Sequence, residues 1–363
     1  MESPWTIPLS LLFLTLVLAL VLALAIVLLG AITKLESERV DAGHAFFVDP
    51  NSSKRVACPS IFDPAQKCMS LIIPAFNEEH RLPAALSETL SYLQQRAKRD
   101  KSFSYEVIIV DDGSKDKTYK VALDHARKYT IDNVRVILLG RNQGKGAAVK
   151  QGMLHARGEL LLMLDADGAT KVTDLEKLEE QILAAAKRQL CVGGGASPIS
   201  SVPNMPEVPV VAFGSRAHLE KQALATVCKY FSLDFSFCLF QISKNAFLLL
   251  FQRKWYRNLL MKGFHLLVLL TAGVGVRDTQ CGFKMFTRAA AQKLFTNMRL
   301  RRWCFDVELV YLCKQLDIPV IEISVNWMEI PGSKVRMTSI MHMLFELMLI
   351  HVGYGFSLWK IQT

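Results

Sequence analysis

The chain has 363 residues, 51% of them hydrophobic, and its 43 Lys and Arg outweigh 33 Asp and Glu to give a net charge of +10. That length holds one large or two small domains, and the charge suits an anionic partner such as a nucleotide, a phosphate or an acidic membrane surface. The eight cysteines are scattered, with no C-x-x-C pair and no Cys/His ligand spacing, so neither a zinc site nor a disulfide framework is indicated, and no basic, aromatic-interleaved stripe supports nucleic acid as a partner.

The first element is apolar. Residues 5–33, "WTIPLSLLFLTLVLALVLALAIVLLGAIT", carry no charge. A membrane-spanning helix needs roughly 20 apolar residues, so this run suffices. It is far longer than the apolar region of a cleaved signal and no basic residue precedes it, which favours an anchor. Lys34, Arg39, Lys54 and Arg55 follow the run, so the body of the protein is expected on the cytosolic side as a single-pass protein. Asn51 opens an "NSS" sequon that a cytosolic loop would never present for glycosylation. Residues 34–66 are polar, lack a clear period and are read as a linker.

Strands and helices then alternate. "CMSLIIPAFNEE" is a strand stopped by a turn. In the following "HRLPAALSETLSYLQQRAKR", Leu82, Leu86, Leu90 and Leu93 share a helical face. "YEVIIVDDGS" and "NVRVILLG" are strands, "TYKVALDHARKYT" and "GKGAAVKQGMLHAR" helices, and "GELLLMLDADGAT" a fourth strand. This order predicts an α/β fold with right-handed crossovers and a mostly parallel, Rossmann-like sheet. Ligands of such sheets lie beyond the carboxyl ends of the strands, where Asn77, Asp111, Asp112, Asp165 and Asp167 fall. After residue 185 the pattern loosens. "GGGASPISSVPNMPEVP" reads as a loop, "VPVVAFGSRAHLE" as a strand and polar turn, and "RDTQCGFKMFTR" as a polar turn. "CFDVELVYLCKQL" reads as a helix, "IPVIEISVNWMEIPGSK" as a strand and loop, and the apolar end, with Glu346, as a membrane-interface helix over 337–363.

Two nucleotide motifs fail. "PAFNEE" replaces the glycines that a dinucleotide fingerprint needs after the first strand, and "GRNQGKGA" is one residue short of a P-loop and ends in Gly146, leaving Lys145 as a candidate phosphate contact. The D-x-D of Asp165 and Asp167 is more informative in this context. Residues i and i+2 of a strand face one side, and two hard oxygen donors there suit Mg²⁺ or Mn²⁺ completed by substrate phosphate oxygens.

The order "PAFNEE", "VDDGS", "DAD" resembles the inverting, metal-dependent glycosyltransferases of family 2, with the GT-A fold, here assigned to residues 67–336. "GSRAHLEK", "RNLLMKGFH", "RDTQCGFKMF", "RRWCFDVELVY" and "VNWMEIPGSK" resemble, within that family, the dolichyl-phosphate β-glucosyltransferases. The resemblance implies an enzyme of the endoplasmic reticulum membrane that transfers glucose from UDP-glucose to dolichyl phosphate. It places Pro74, Ala75, Phe76 and Glu78 at the base-binding end of the pocket and Asp111 and Asp112 on ribose or uracil. Gln280 joins the donor site, and Asp165 and Asp167 hold the metal. A phosphate acceptor is already nucleophilic, so the site needs cations more than a base, and Arg216, Lys284, Lys334 and Arg336, with the neutral hydroxyl of Ser333, are the candidates to hold it. Asp306 and Glu308 are expected to orient glucose hydroxyls or act as a base, or else to compensate a helix dipole.

Residues 224–251 interrupt the stretch that relatives join directly, either as a further membrane-contacting segment or as a translated intron. A processive polysaccharide synthase shares the early motifs but calls for Q-x-x-R-W and more spans, whereas "RLRRW" puts Arg299 where the Gln belongs. A GDP-mannose enzyme and a non-catalytic nucleotide-sugar sensor are the remaining alternatives.

Overall fold

The computed structural model describes residues 9–40, 46–52, 54–193, 207–217, 268, 276–328, 330 and 337–362. The segment 224–251 and Ser333, Lys334 and Arg336 lie outside the described residues. Among the described residues the sheet has nine strands: β1 (Phe46–Val48), β2 (Arg55–Ala57), β3 (Lys67–Ala75), β4 (Tyr105–Asp111), β5 (Val134–Leu138), β6 (Gly158–Leu164), β7 (Val211–Ser215), β8 (Phe283–Thr287) and β9 (Val320–Ser324). Their spatial order is β2-β1-β5-β4-β3-β6-β8-β7-β9. The run β5-β4-β3-β6 is parallel, as the alternation predicts, and β8 runs antiparallel to both β6 and β7. Because β8 is reversed, its first residue lies beside the last residue of β6, in the register Leu164↔Phe283. The carboxyl edge of the parallel strands is therefore also where β8 begins.

Apolar side chains alternate along the strands and feed two cores. Leu71, Ile73, Val107 and Ile109 point to one face, covered by α2 (Leu82–Arg99), α3 (Thr118–Tyr129) and α5 (Leu175–Gly193). Ile72, Ile108, Val110 and Phe286 point to the other face, covered by α4 (Lys145–Leu154), α6 (Arg288–Asn297), α7 (Phe305–Gln315) and α8 (Met337–Gly355). All four predicted leucines of α2 are buried.

Three expectations need correction. The linker is not a featureless tether: the apolar helix α1 runs unbroken from Leu9 to Val40, and β1 and β2 form a hairpin whose Phe47 pairs with Ile137 at the sheet edge. The supposed polar turn "RDTQCGFKMFTR" contains β8 and the start of α6. The C-terminal helix is not simply a membrane-facing element, since Leu347, Leu349, Ile350 and Tyr354 are buried in the second core together with Leu28 and Ile32 of α1. α1 contains the one helix segment among the described residues long and apolar enough to cross a membrane, Phe13–Ser37.

Candidate functional site

The carboxyl edge collects charged side chains from five elements. Asp165 and Asp167 follow β6, where the buried run Leu160–Leu164 ends. Lys145 opens α4, Lys284 lies in β8, Asp306 stands in the first turn of α7, and Arg216 follows β7. Lys145 Nζ is 2.6 Å from Asp165 Oδ1, and both side chains keep some exposure, at 23% and 33%. Burial works against the charge on Lys145, but Asp165, Asp306 and Asp167 outweigh it and hold the ammonium above the ordinary lysine range. Lys284 has no exposed side-chain surface; its Nζ donates to Asp306 Oδ1 at 2.6 Å and to the carbonyl of Cys281. Burial pushes the Asp306 carboxyl above the ordinary range against the pull of Lys284 and Lys145.

Local backbone holds the carboxylates in place. Asp167 Oδ1 accepts from the Ala169 N–H at 3.0 Å. Gly282, next to β8, passes so close to Asp165 that any Cβ there would overlap its carboxyl group, so the close approach of the two strand ends requires glycine. In "VDDGS", Gly113 has φ +69°, and its Cα faces the backbone of Arg141. That turn separates the roles of the two aspartates. Asp112 accepts from the Gln143 and Gly144 N–H groups at 2.6 and 2.9 Å, which ties it to the turn before α4. Asp111 accepts from Ser114 N–H through Oδ2, while its buried Oδ1 has no hydrogen-bond partner among the described residues. Burial raises both carboxyls. A buried unpartnered acceptor is costly without a ligand.

Several predicted residues stand differently from expectation. Glu308 is not in the cluster: it is fully buried, and its oxygens accept from the Arg299 and Leu300 N–H groups and the Tyr354 hydroxyl at 2.9, 2.8 and 2.7 Å. Glu78 is bound by Arg81 through Nε and Nη2 at 2.7 and 2.6 Å. Pro74 and Ala75 pair with Val110 and Asp111 inside the sheet, Phe76 is half-buried beyond it, and Gln280 is exposed. Arg216 is not an isolated cation. Its Nε and Nη2 bond both oxygens of Asp278 at 2.7 and 2.9 Å, and it lies 5.3 Å from the Trp327 ring centre. The Asp278 carboxylate raises the guanidinium further above its ordinary range.

Asp278, Arg81 and Glu346 escape sequence reasoning. Asp278 meets Arg216 from 62 positions away, so no local spacing signals it. Arg81 is held above its ordinary range first by its bond to Glu78, with Asp167 and Asp165 adding to the pull. Glu346 of α8 accepts from the Trp303 and Cys304 N–H groups at 3.2 and 2.9 Å, capping the helix that carries Asp306.

The Glycosyl transferase family 2 model matches residues 70–247. Dolichyl-phosphate beta-glucosyltransferase of Homo sapiens is 41% identical over 361 residues, covering 99% of this chain and 98% of that protein. The Drosophila melanogaster protein of the same name is 42% identical, covering 87% and 84%. The chain belongs to the dolichyl-phosphate β-glucosyltransferases. The crystal structure of Mycobacterium tuberculosis glucosyl-3-phosphoglycerate synthase is 15% identical, with a TM-score of 0.40 over 79% of this chain and 80% of that one, a likeness too distant to bear on function.

A metal expected in such a glucosyltransferase can be tested against the side chains present. Among the described residues no three His, Cys, Asp or Glu side chains form a metal cluster. A divalent ion of the magnesium type needs only one or two carboxylates when water and a diphosphate complete its shell. The partly exposed Asp165 and Asp167 fit that demand, with Lys145 already holding one oxygen of Asp165.

Proposed function

We propose that this glycosyltransferase moves glucose from UDP-glucose to dolichyl phosphate with inversion, giving dolichyl β-D-glucosyl phosphate, the lipid-linked glucose donor for N-glycan precursor assembly. The observation that carries the reading is the convergence of Asp165, Asp167, Lys145, Lys284 and Asp306 on the strand edge of a chain of this family. An acceptor phosphate oxygen attacks the anomeric carbon from the face opposite the nucleotide. The carbon–oxygen bond to UDP breaks, and its electron pair stays on the β-phosphate of UDP. The acceptor phosphate, mostly dianionic near neutral pH, needs no strong base.

Each side chain has a task in this reaction. Asp165 and Asp167 hold Mg²⁺ or Mn²⁺, which would neutralise the departing diphosphate. Lys145 adds a fixed positive charge beside it. Asp111 Oδ1 accepts a hydrogen bond from the nucleoside, a role supported by its lack of a partner among the described residues. Asp306, oriented by Lys284, binds glucose hydroxyls. Arg216, held by Asp278, faces the acceptor phosphate together with Lys334 and Ser333, and Arg336 adds charge there. The helix α1 anchors the protein in the endoplasmic reticulum membrane with the catalytic domain in the cytosol. Membranes from cells expressing the chain, given dolichyl phosphate with UDP-glucose or GDP-mannose in parallel, test the reading. Glucolipid formation that stops on chelation is expected. Transfer from GDP-mannose, or no transfer from either donor, would overturn it.

A further inference from the structure

The exit of α1 from the bilayer can be located. Every described side chain from Phe13 to Val27 is exposed, whereas Leu28 and Ile32 are buried against the domain. At about 1.5 Å per residue, the stretch from Leu9 to Val27 is about 28 Å long, close to the roughly 30 Å hydrocarbon core. Leu28 to Ile32 therefore mark the level at which the helix leaves lipid. The C-terminal segment is pinned at this level. Trp359, itself buried, donates through Nε1 to the Ile32 carbonyl at 3.3 Å. Arg299 bridges Glu36 at 2.6 Å and the Lys360 carbonyl at 2.7 Å.

The turn just before Trp359 carries two large apolar side chains that the protein leaves uncovered. Phe356 is 74% exposed and Leu358 43%. The turn is fixed: the N–H groups of Phe356, Ser357 and Trp359 donate to Val352, Tyr354 and Gly353, and Ser357 has φ +56°. Exposed Lys360 follows, with a reach suited to lipid phosphates.

We propose that the Phe356–Leu358 turn is a second membrane contact, seated in the headgroup–acyl boundary beside the exit of α1. It rests on the reading of α1 as a membrane anchor. A lipid surface is the occupant because residue 359 is bonded to the helix, and residue 360 is joined to it through Arg299, at the height where that helix enters lipid. Two contacts fix the tilt of the domain over the bilayer, where one would leave it free to swing. The same C-terminal segment reaches the helix that carries Asp306, through Glu346 at the start of α7 and through the bond from Tyr354 to Glu308 on that helix. Tilt is thus transmitted to the place where a lipid-borne phosphate must meet the glucose bound at Asp306.

The test uses the full chain in nanodiscs containing spin-labelled lipid. An environment-sensitive fluorophore is placed at Phe356→Cys, or at Lys101→Cys in the turn after α2 at the opposite sheet edge, and the signal of labelled parent protein is subtracted. Quenching of the label at 356 and not at 101 is expected. Equal, weak quenching at both positions in protein that stays in the nanodisc overturns the second contact and leaves the anchor standing. Failure of the parent to enter nanodiscs would overturn the anchor and this proposal together. In activity, the pair Phe356→Ser and Leu358→Ser should lower use of long-chain dolichyl phosphate in nanodiscs by roughly three- to tenfold, with a short, water-soluble polyprenyl phosphate still used to within about twofold. An equal fall with both acceptors, or no fall with either, overturns the proposal.

Discussion

Replacing Lys284 with Met should unfold the protein more readily, in a way that depends on pH. Met keeps an apolar stem beside Phe213 and removes the charge that faces Asp306 at 2.6 Å. Asp306 then keeps Lys145, the other described cation that opposes its burial. Near pH 7 it escapes by taking up a proton, which bounds the loss. The roughly three pH units between an ordinary aspartate and pH 7, at about 1.4 kcal/mol each, give at most about 4 kcal/mol, since burial already raises Asp306 in the parent. Breaking a buried pair by removing one partner costs about 3–5 kcal/mol, in agreement. At about 2 °C per kcal/mol, the melting temperature should fall by about 8 °C. The sign follows from proton counting. The folded variant holds a proton on Asp306 that the unfolded chain has released, so its stability declines as pH rises, and the deficit narrows to about 1.5 kcal/mol at pH 5. Thermal melts of detergent-solubilised protein at pH 5, 6 and 7 measure this. The double variant Lys284→Met with Asp306→Leu should recover most of the loss, because no buried charge is left unpaired. A single variant that melts like its parent at pH 7, or shows the same deficit at pH 5, would refute the reasoning.

Other expectations concern single groups. Asp165→Asn or Asp167→Asn should reduce transfer by at least about a hundredfold and make residual UDP-glucose binding indifferent to chelator, as binding with and without chelator would reveal. Glu308→Gln should lower stability by about 1–3 kcal/mol, since it weakens buried bonds to two backbone amides and a hydroxyl; at a temperature where both are folded, it should slow turnover less than Asp306→Asn does. Asp278→Asn should weaken use of dolichyl phosphate about as much as Arg216→Ala, because the guanidinium loses its bidentate partner; a purely local role for Arg216 predicts that the Asp278 variant behaves like the parent. Asn51 lies exposed in the β1–β2 turn, and its replacement by Gln should leave the mass of the cellular protein free of any glycan difference.

The first half of the sheet was legible because each strand there is a continuous buried run between helices of clear period. The convergence of Asp111 and Asp165 on one edge followed from that alternation alone. What sequence missed has a physical pattern. β1 and β2 are three residues each, too short to show a period. β8 was hidden because Lys284, wholly buried, made "FKMFT" look polar. Glu308 and Asp306 are two positions apart on one helix and face different neighbours, one meeting Tyr354 and the other Lys284. Spacing cannot distinguish a carboxylate that closes a turn from one that meets a ligand.

The bond between Glu36 and Arg299 bears on any attempt to detach the catalytic domain from its membrane. Cleavage before residue 41 would leave the guanidinium of Arg299, which has no exposed side-chain surface, without its carboxylate, and would uncover the apolar seat of Leu28 and Ile32. A protease acting just beyond the apolar stretch of α1 would therefore not release a working soluble enzyme. It would release one primed to aggregate, so shedding at this point would end the activity rather than relocate it.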